Sequence, residues 1–333
     1  MKIAYLIQTH KNAGLLKRKI ELLSSDESAF FIHVDAKHDI NAFSSIKGGN
    51  VFFTGRRIPV YWAEYSMLEA IVSLMRLALS GPQRFDYFIL STGSDYPLRS
   101  RQYIHDFFMK NSGAEFIGAI KLPDGEAANP LYREATGKKP ENCGGYAARQ
   151  YYRRLNALRV PSDRPLWRLT VKMSTRLGLA RRDYRKYLGT LEPYAGNAGW
   201  ALTRDACRYI VNFIDDHPPV CKFFEGIFAP DEIFFHTILG NSEFKHRMRR
   251  HLCFEDWAQT NSQRGYGGLL ERSSNKGGHP AVLDKRHIDF FAGTGKVVMN
   301  DIYGSGEALF ARKFSDDTMD LVERIDDMIK MGT

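Results

Sequence analysis

The chain has 333 residues, 44% of them hydrophobic and 26% charged, with a formal net charge of +9. That balance is enough for a full core and excludes a disordered polyelectrolyte. No run approaches the roughly 18 apolar residues that span a bilayer, and the opening MKIAYLIQTHK lacks the basic flank, apolar stretch and cleavage site of a secretory signal. The expectation is a cytoplasmic protein, at most peripheral on the membrane.

In chain order, Lys2 to Thr9 is a short apolar run of strand formers, and Asn12 to Leu23 follows with Leu15, Leu16, Ile20 and Leu23 at helical spacing. Strands are predicted again at Ala29 to Val34 and Asn50 to Thr54. The apolar face of Ser66 to Leu79 predicts an amphipathic helix. Phe85 to Ser91 is nearly continuous in apolar residues, as in a strand covered on both faces of a parallel sheet, and Glu115 to Ile120 looks like another. This alternation predicts an α/β fold with a doubly wound, mostly parallel sheet and with ligands at the carboxyl ends of its strands. Neither a GxGxxG after the first strand nor a P-loop is present, so dinucleotide-binding and P-loop classes are disfavoured. Beyond residue 120 the pattern loosens, then resumes with a strand at Gly199 to Thr203, a helix at Arg204 to Asp216 and a helix at Pro230 to Leu239, entered through Pro-Asp-Glu.

The positive charge is local. Between Ala148 and Gly189 stand twelve Lys/Arg, among them Arg149 and Arg153, against only Asp163 and Asp183. Pro165 to Leu179 interleaves Leu166, Trp167, Leu169, Val171, Met173 and Leu177 with Arg168, Lys172 and Arg176, as an interfacial helix on anionic lipid does. An acceptor-gripping surface, with Arg149 and Arg153 in it, and an ordinary solvated helix are the alternatives. Confinement of charge to one segment, and the lack of any nucleic-acid motif, argue against a nucleic-acid partner. Cys143, Cys207, Cys221 and Cys253 have no metal-ligand spacing and read as packed thiols.

Three strand or helix boundaries carry candidate chemistry: His33-Val34-Asp35, then Ser91-Thr92-Gly93-Ser94-Asp95, then Pro230-Asp231-Glu232. An acid at such a point can bind a ribose or base, and can equally cap the next turn. Taken with VYWAEYSMLEA (60–70), YAGNAGWALTR (194–204), FAPDEIFFHTILGNSEF (228–244) and LFARKF (309–314), these blocks resemble the core-2/I-branching β-1,6-N-acetylglucosaminyltransferase and peptide O-xylosyltransferase family, glycosyltransferase family 14, in a bacterial form. FFHTILGNS and FARKF lie nearer the xylosyltransferase branch.

The resemblance implies a single GT-A type nucleotide-sugar domain: a nucleotide-binding half over 1–120, a basic acceptor- or membrane-side insertion over 121–193, and a catalytic half over 194–333. It implies inverting, metal-independent transfer of N-acetylglucosamine or xylose from a UDP-sugar to a glycan or lipid-linked glycan, as in surface polysaccharide synthesis, with no cofactor. By the same resemblance Glu232 looks like the catalytic base, Asp35 with Val34 the uridine site, and Lys313 a diphosphate cation. Arg312 and Arg286, or Lys285, are further cation candidates. Asp95 and Tyr61 fall on the donor side, Trp200 and Asp231 on the acceptor side.

Chemistry supports that division independently. Inverting transfer needs one base for the acceptor proton and cations for the leaving diphosphate. A helix start at Glu232 would favour its ionised form. Asp95 alone makes a poor divalent-metal site, whereas lysine and arginine neutralise phosphate directly. Tyr61, Trp62, Tyr65 and Trp200 offer stacking faces. The competing class is a glycan-binding module without catalysis, which has no use for Glu232.

Overall fold

The computed structural model describes residues 1–122, 163–177, 184–256, 280–301 and 303–331. Four apolar runs form β1 (Ile3–Thr9), β2 (Ser28–Val34), β3 (Val51–Phe53) and β4 (Tyr87–Thr92), all parallel and ordered β3-β2-β1-β4. Beyond β4 the sheet continues through Trp200–Thr203, Glu115–Phe116 and Met248–Arg249 to seven strands. Trp200–Thr203 alone runs against its neighbours.

Successive side chains of a strand point to opposite faces, so β1 serves two cores. Ile3, Tyr5 and Ile7 pack with α1 (Ala13–Leu23) through Leu16, Ile20 and Leu23, while Ala4 and Leu6 pack with α2 (Tyr65–Ser80) through Leu68, Ile71 and Leu74. The helix Arg204–Asp216 joins the α2 face, and its entry matches the sequence expectation because the Thr203 hydroxyl accepts from Ala206 N at 3.3 Å. A third core gathers Phe254, Ile288, Phe291, Phe314 and Ile325 beneath a small sheet of Cys253–Glu255, Phe310–Arg312 and Tyr96–Pro97. This sheet carries the C-terminal segment back to the tips of β1 and β4. Asp326 of the helix Met319–Lys330 secures it, accepting from Arg18 Nε at 2.5 Å and from the Tyr96 hydroxyl at 2.7 Å.

Two expected elements divide. Glu115 to Ile120 is not one strand, because Gly118 takes φ +54° and turns Ala119–Lys121 away to pair with Tyr194–Gly196. Pro230 to Leu239 is not one helix either. It is a three-residue turn, Pro230–Glu232, then the helix Phe234–Gly240, separated by Ile233 at φ −134°. Of the basic insertion, the helices Trp167–Arg176 and Arg185–Leu188 are described. Arg149 and Arg153 lie outside the described residues. Among the described residues no helix is long and apolar enough to cross a membrane. Cys207, Cys221 and Cys253 are free thiols; Cys143 is not among the described residues.

Candidate active site

The tips of β1, β2 and β4 face one another at one edge of the sheet, with residues from 58–64, 228–232, 255 and 312–313 around them. At the β2 tip the buried Asp35 accepts through Oδ1 from the backbone N–H of Lys37 at 3.0 Å and of Val60 at 3.1 Å. Asp35 therefore does cap a turn, as the bland reading held, and in doing so draws 58–61 across the strand end. Ile58 N donates to His33 Nε2 at 2.9 Å from the same stretch. Lys37 Nζ lies 3.8 Å from Asp35 Oδ2 and 4.1 Å from the centre of the half-buried Tyr61 ring. An acceptor carboxylate and an aromatic face thus stand together, the pair that a nucleoside's polar edge and flat base require. Val34, expected on the donor side, is 1% exposed and its side chain belongs to the core.

At the β4 tip the loop closes against β1 so tightly that a Cβ on Gly93 would sit 2.2 Å from Thr9 Oγ1. Asp95 turns inward: its two oxygens accept from Thr92 N at 2.7 Å and Thr92 Oγ1 at 2.6 Å, and Arg312 Nε lies 3.3 Å away. Arg312 also approaches Glu255 at 3.4 Å, and Glu255 accepts from Asn197 Nδ2 at 2.8 Å. Burial works against the Arg312 charge, but Asp95 and Glu255 outweigh it and hold the guanidinium charged above its ordinary range. Asp95 and Arg312, both expected on the donor side, face each other here and brace the site.

The Pro230–Glu232 turn is fastened to the 60–65 loop. Ala229 N donates to Ala63 O at 2.9 Å, and the Trp62 and Phe228 rings meet nearly at right angles, 5.1 Å apart. Ala229 and Ala63 both have positive φ, +49° and +58°, a conformation that costs a non-glycine residue on the order of 1 kcal/mol and persists where surrounding contacts impose it. Asp231 is buried, its Oδ1 lacks a hydrogen-bond partner, and loss of solvent pushes its carboxyl up to about 6 against the pull of its own backbone N–H and Arg312. Half-buried Glu232 is raised well above the carboxylate range, first by loss of solvent, then by Asp231 and Glu255, with Arg312 opposing. The expectation that a helix start favours ionised Glu232 is therefore corrected. The helix begins only at Phe234, and burial, reinforced by the neighbouring carboxylates, dominates.

Lys313 has its backbone pinned by Ala281 and Leu283, while its half-buried amine has no ion-pair partner among the described residues. Burial lowers its pKa, and so do Arg312 and Lys11; Glu255 and Asp95 act the other way. Exposed Lys11, two residues past the end of β1, follows His10, whose ring lies 5.1 Å from that of His38. Burial lowers the His10 pKa and favours its neutral ring, so Lys11 and Lys313 are the cations beside the β1 tip. Arg286 does not join them in the way expected: its guanidinium meets Asp284, the cap of its own helix, at 2.5 Å. Trp200 is 2% exposed with its ring 5.6 Å from Phe235, so it fills core and offers no open acceptor face, again a correction.

Lys11 and Glu255 escaped the sequence reading. Lys11 had a signal, a cation at the tip of a buried strand; Glu255 stands in CFEDW with no motif around it.

A family model described as Core-2/I-Branching enzyme matches residues 3–135. Xylosyltransferase 2 of Homo sapiens is 26% identical over 251 residues, 73% of this chain and 25% of its own length. Xylosyltransferase oxt of Drosophila melanogaster is 22% identical over the same shares. The human beta-1,3-galactosyl-O-glycosyl-glycoprotein beta-1,6-N-acetylglucosaminyltransferase 3 is 22% identical over 191 residues, 56% of this chain and 40% of that protein. The chain thus spans about a quarter of the length of the xylosyltransferases it matches.

Proposed function

We propose that this chain, whose residues 3–135 match the Core-2/I-Branching enzyme family model, is a glycosyltransferase that moves xylose or N-acetylglucosamine from a UDP-sugar to a hydroxyl of a glycan acceptor, with inversion. The strand order β3-β2-β1-β4 followed by one reversed strand supports a GT-A type assignment. The observation that carries the reading is the grouping, at one sheet edge, of a carboxylate cluster beside Lys11 and Lys313, which have no carboxylate partner among the described residues.

In this reading Asp35 and Tyr61 hold the uridine. Glu232 takes the proton of the acceptor hydroxyl as that oxygen attacks the anomeric carbon from the face opposite the diphosphate. The bond from the anomeric carbon to the phosphate oxygen breaks, its electron pair stays on the diphosphate, and Lys313 with Lys11 neutralises the charge that builds there. A raised pKa makes Glu232 a stronger base once ionised, and the cations of a bound donor's pocket need not touch it. Because the Asp95 oxygens are committed to Thr92 and Arg312, the β4 loop has no free carboxylate for a divalent ion, which supports direct neutralisation by lysine.

The test is release of UDP from UDP-xylose and UDP-N-acetylglucosamine by the purified protein and its Glu232→Gln variant. Turnover should fall by at least about two powers of ten, the usual worth of a positioned base, with UDP affinity kept. No UDP release from either donor, or normal turnover in the variant, removes the assignment.

A further inference from the structure

The helix Trp167–Arg176 and the residues that flank it turn a set of apolar side chains outward. Leu166, Leu169, Met173 and Leu177 are 63%, 52%, 47% and 67% exposed. At 3.6 residues per turn they fall within about 80° of one another, on a single stripe. Trp167 and Val171, half-buried, and Ser174, buried, lie on the side that holds the helix to the body of the protein. The outward stripe is thus what remains after the helix has made its own packing contacts.

Exposed cations accompany it. Arg164 precedes the helix and Lys172 and Arg176 run along one flank of the stripe, none of them with an ion-pair partner among the described residues. The one acid of this described stretch, Asp163, faces away to Lys37 at 3.8 Å. A narrow apolar stripe bordered by unpaired cations suits a surface that is apolar inside and negative at its rim.

We propose that this helix docks the protein on an anionic lipid bilayer, with the four apolar side chains in the headgroup–acyl boundary and Arg164, Lys172 and Arg176 at the phosphates. A second copy of the chain fits less well, because its own three cations would meet these, and four side chains fall far short of the roughly 1,200 Å² that a stable pair buries. The docking has a directional consequence. Lys37, the partner of Asp163, stacks on Tyr61, so the residue that leads into the docked helix is held at the 60–62 rim of the site.

The experiment is sedimentation with phosphatidylcholine vesicles that do or do not contain phosphatidylglycerol. The protein should sediment with the anionic vesicles, weakly with the neutral ones, and be released by salt. Leu169→Ser with Met173→Ser should lower partitioning about tenfold or more, and Lys172→Glu with Arg176→Glu should do so on anionic vesicles. Because the four side chains are exposed, circular dichroism and UDP release in the absence of lipid should be unchanged, which separates this outcome from the fate of the transferase reading. Failure of the wild-type protein to sediment, or equal sedimentation of all three proteins, overturns the proposal. So does a lipid-free self-association that Leu169→Ser with Met173→Ser abolishes, which would assign the stripe to a second copy.

Discussion

Replacing Asp231 with asparagine should stabilise the protein, and should do so only as the pH rises. The unfolded chain loses the Asp231 proton near pH 3.8, whereas the folded protein keeps it to about 6, because burial disfavours the carboxylate. Between those values the folded state binds more protons than the unfolded one, so stability falls as pH rises and the penalty is complete above the folded pKa. At 1.36 kcal/mol for each pKa unit, the buried charge costs about 3 kcal/mol in alkaline solution. Asparagine keeps the shape without the charge, but brings a buried amide that replaces an unpaired Oδ1, at a cost of about 1 kcal/mol. The net gain is about 2 kcal/mol near pH 8, with a loss of about 1 kcal/mol near pH 4. For 333 residues that is a rise in Tm of roughly 3 °C in the first case and a fall of 1 to 2 °C in the second. Calorimetric scans of both proteins at the two pH values measure it. A variant less stable by the same amount at both would show that the fold bears no charge penalty at Asp231. The same change removes a carboxylate that raises Glu232, so the ascending limb of the transfer rate should move to lower pH.

Lys313→Ala should weaken UDP binding roughly ten- to a hundredfold in calorimetric titration, the range of a charge-assisted contact, with Lys313→Arg recovering part of it; an unchanged Kd would place the balancing cation elsewhere. Transfer should persist in excess EDTA if, as proposed, the chain's own lysines meet the diphosphate; strict dependence on added manganese would contradict that assignment. Gly93→Ala should destabilise by about 2 kcal/mol or more, read as a lower Tm, because its Cβ would fall 2.2 Å from Thr9 Oγ1 and 2.9 Å from Thr9 Cβ, atoms of a stiff branched side chain; a neutral substitution would mean that the β1 and β4 tips separate easily.

Most of the framework was legible in the residues themselves. Apolar runs located β1, β2 and β4, and the helix Arg204–Asp216 stood where a threonine precedes an amphipathic pattern, because burial periodicity and capping involve only neighbours along the chain. Asp35 and Glu232 drew attention for the same local reason, as acids at the ends of such elements. Tertiary structure decided what each charged group meets. Arg312 looks, in LFARKF, as available for phosphate as Lys313, yet strand pairing sets it opposite Glu255, 57 residues earlier, and against Asp95, whereas Lys313 has no ion-pair partner among the described residues. Glu232 looks, in Pro-Asp-Glu, like a carboxylate favoured by a helix start, yet Ile233 interrupts the helix, and burial, then Asp231 and Glu255, reverse the direction of its shift. Trp200 looked like a sugar platform and lies inside the core. The outward stripe on Trp167–Arg176 shows the same division, since periodicity defines an apolar face but only packing against the rest of the chain determines whether that face is covered. Local patterns can be read from sequence because they depend on residues a few positions apart, whereas the charge state and exposure of a side chain depend on whichever distant residues exclude water from it.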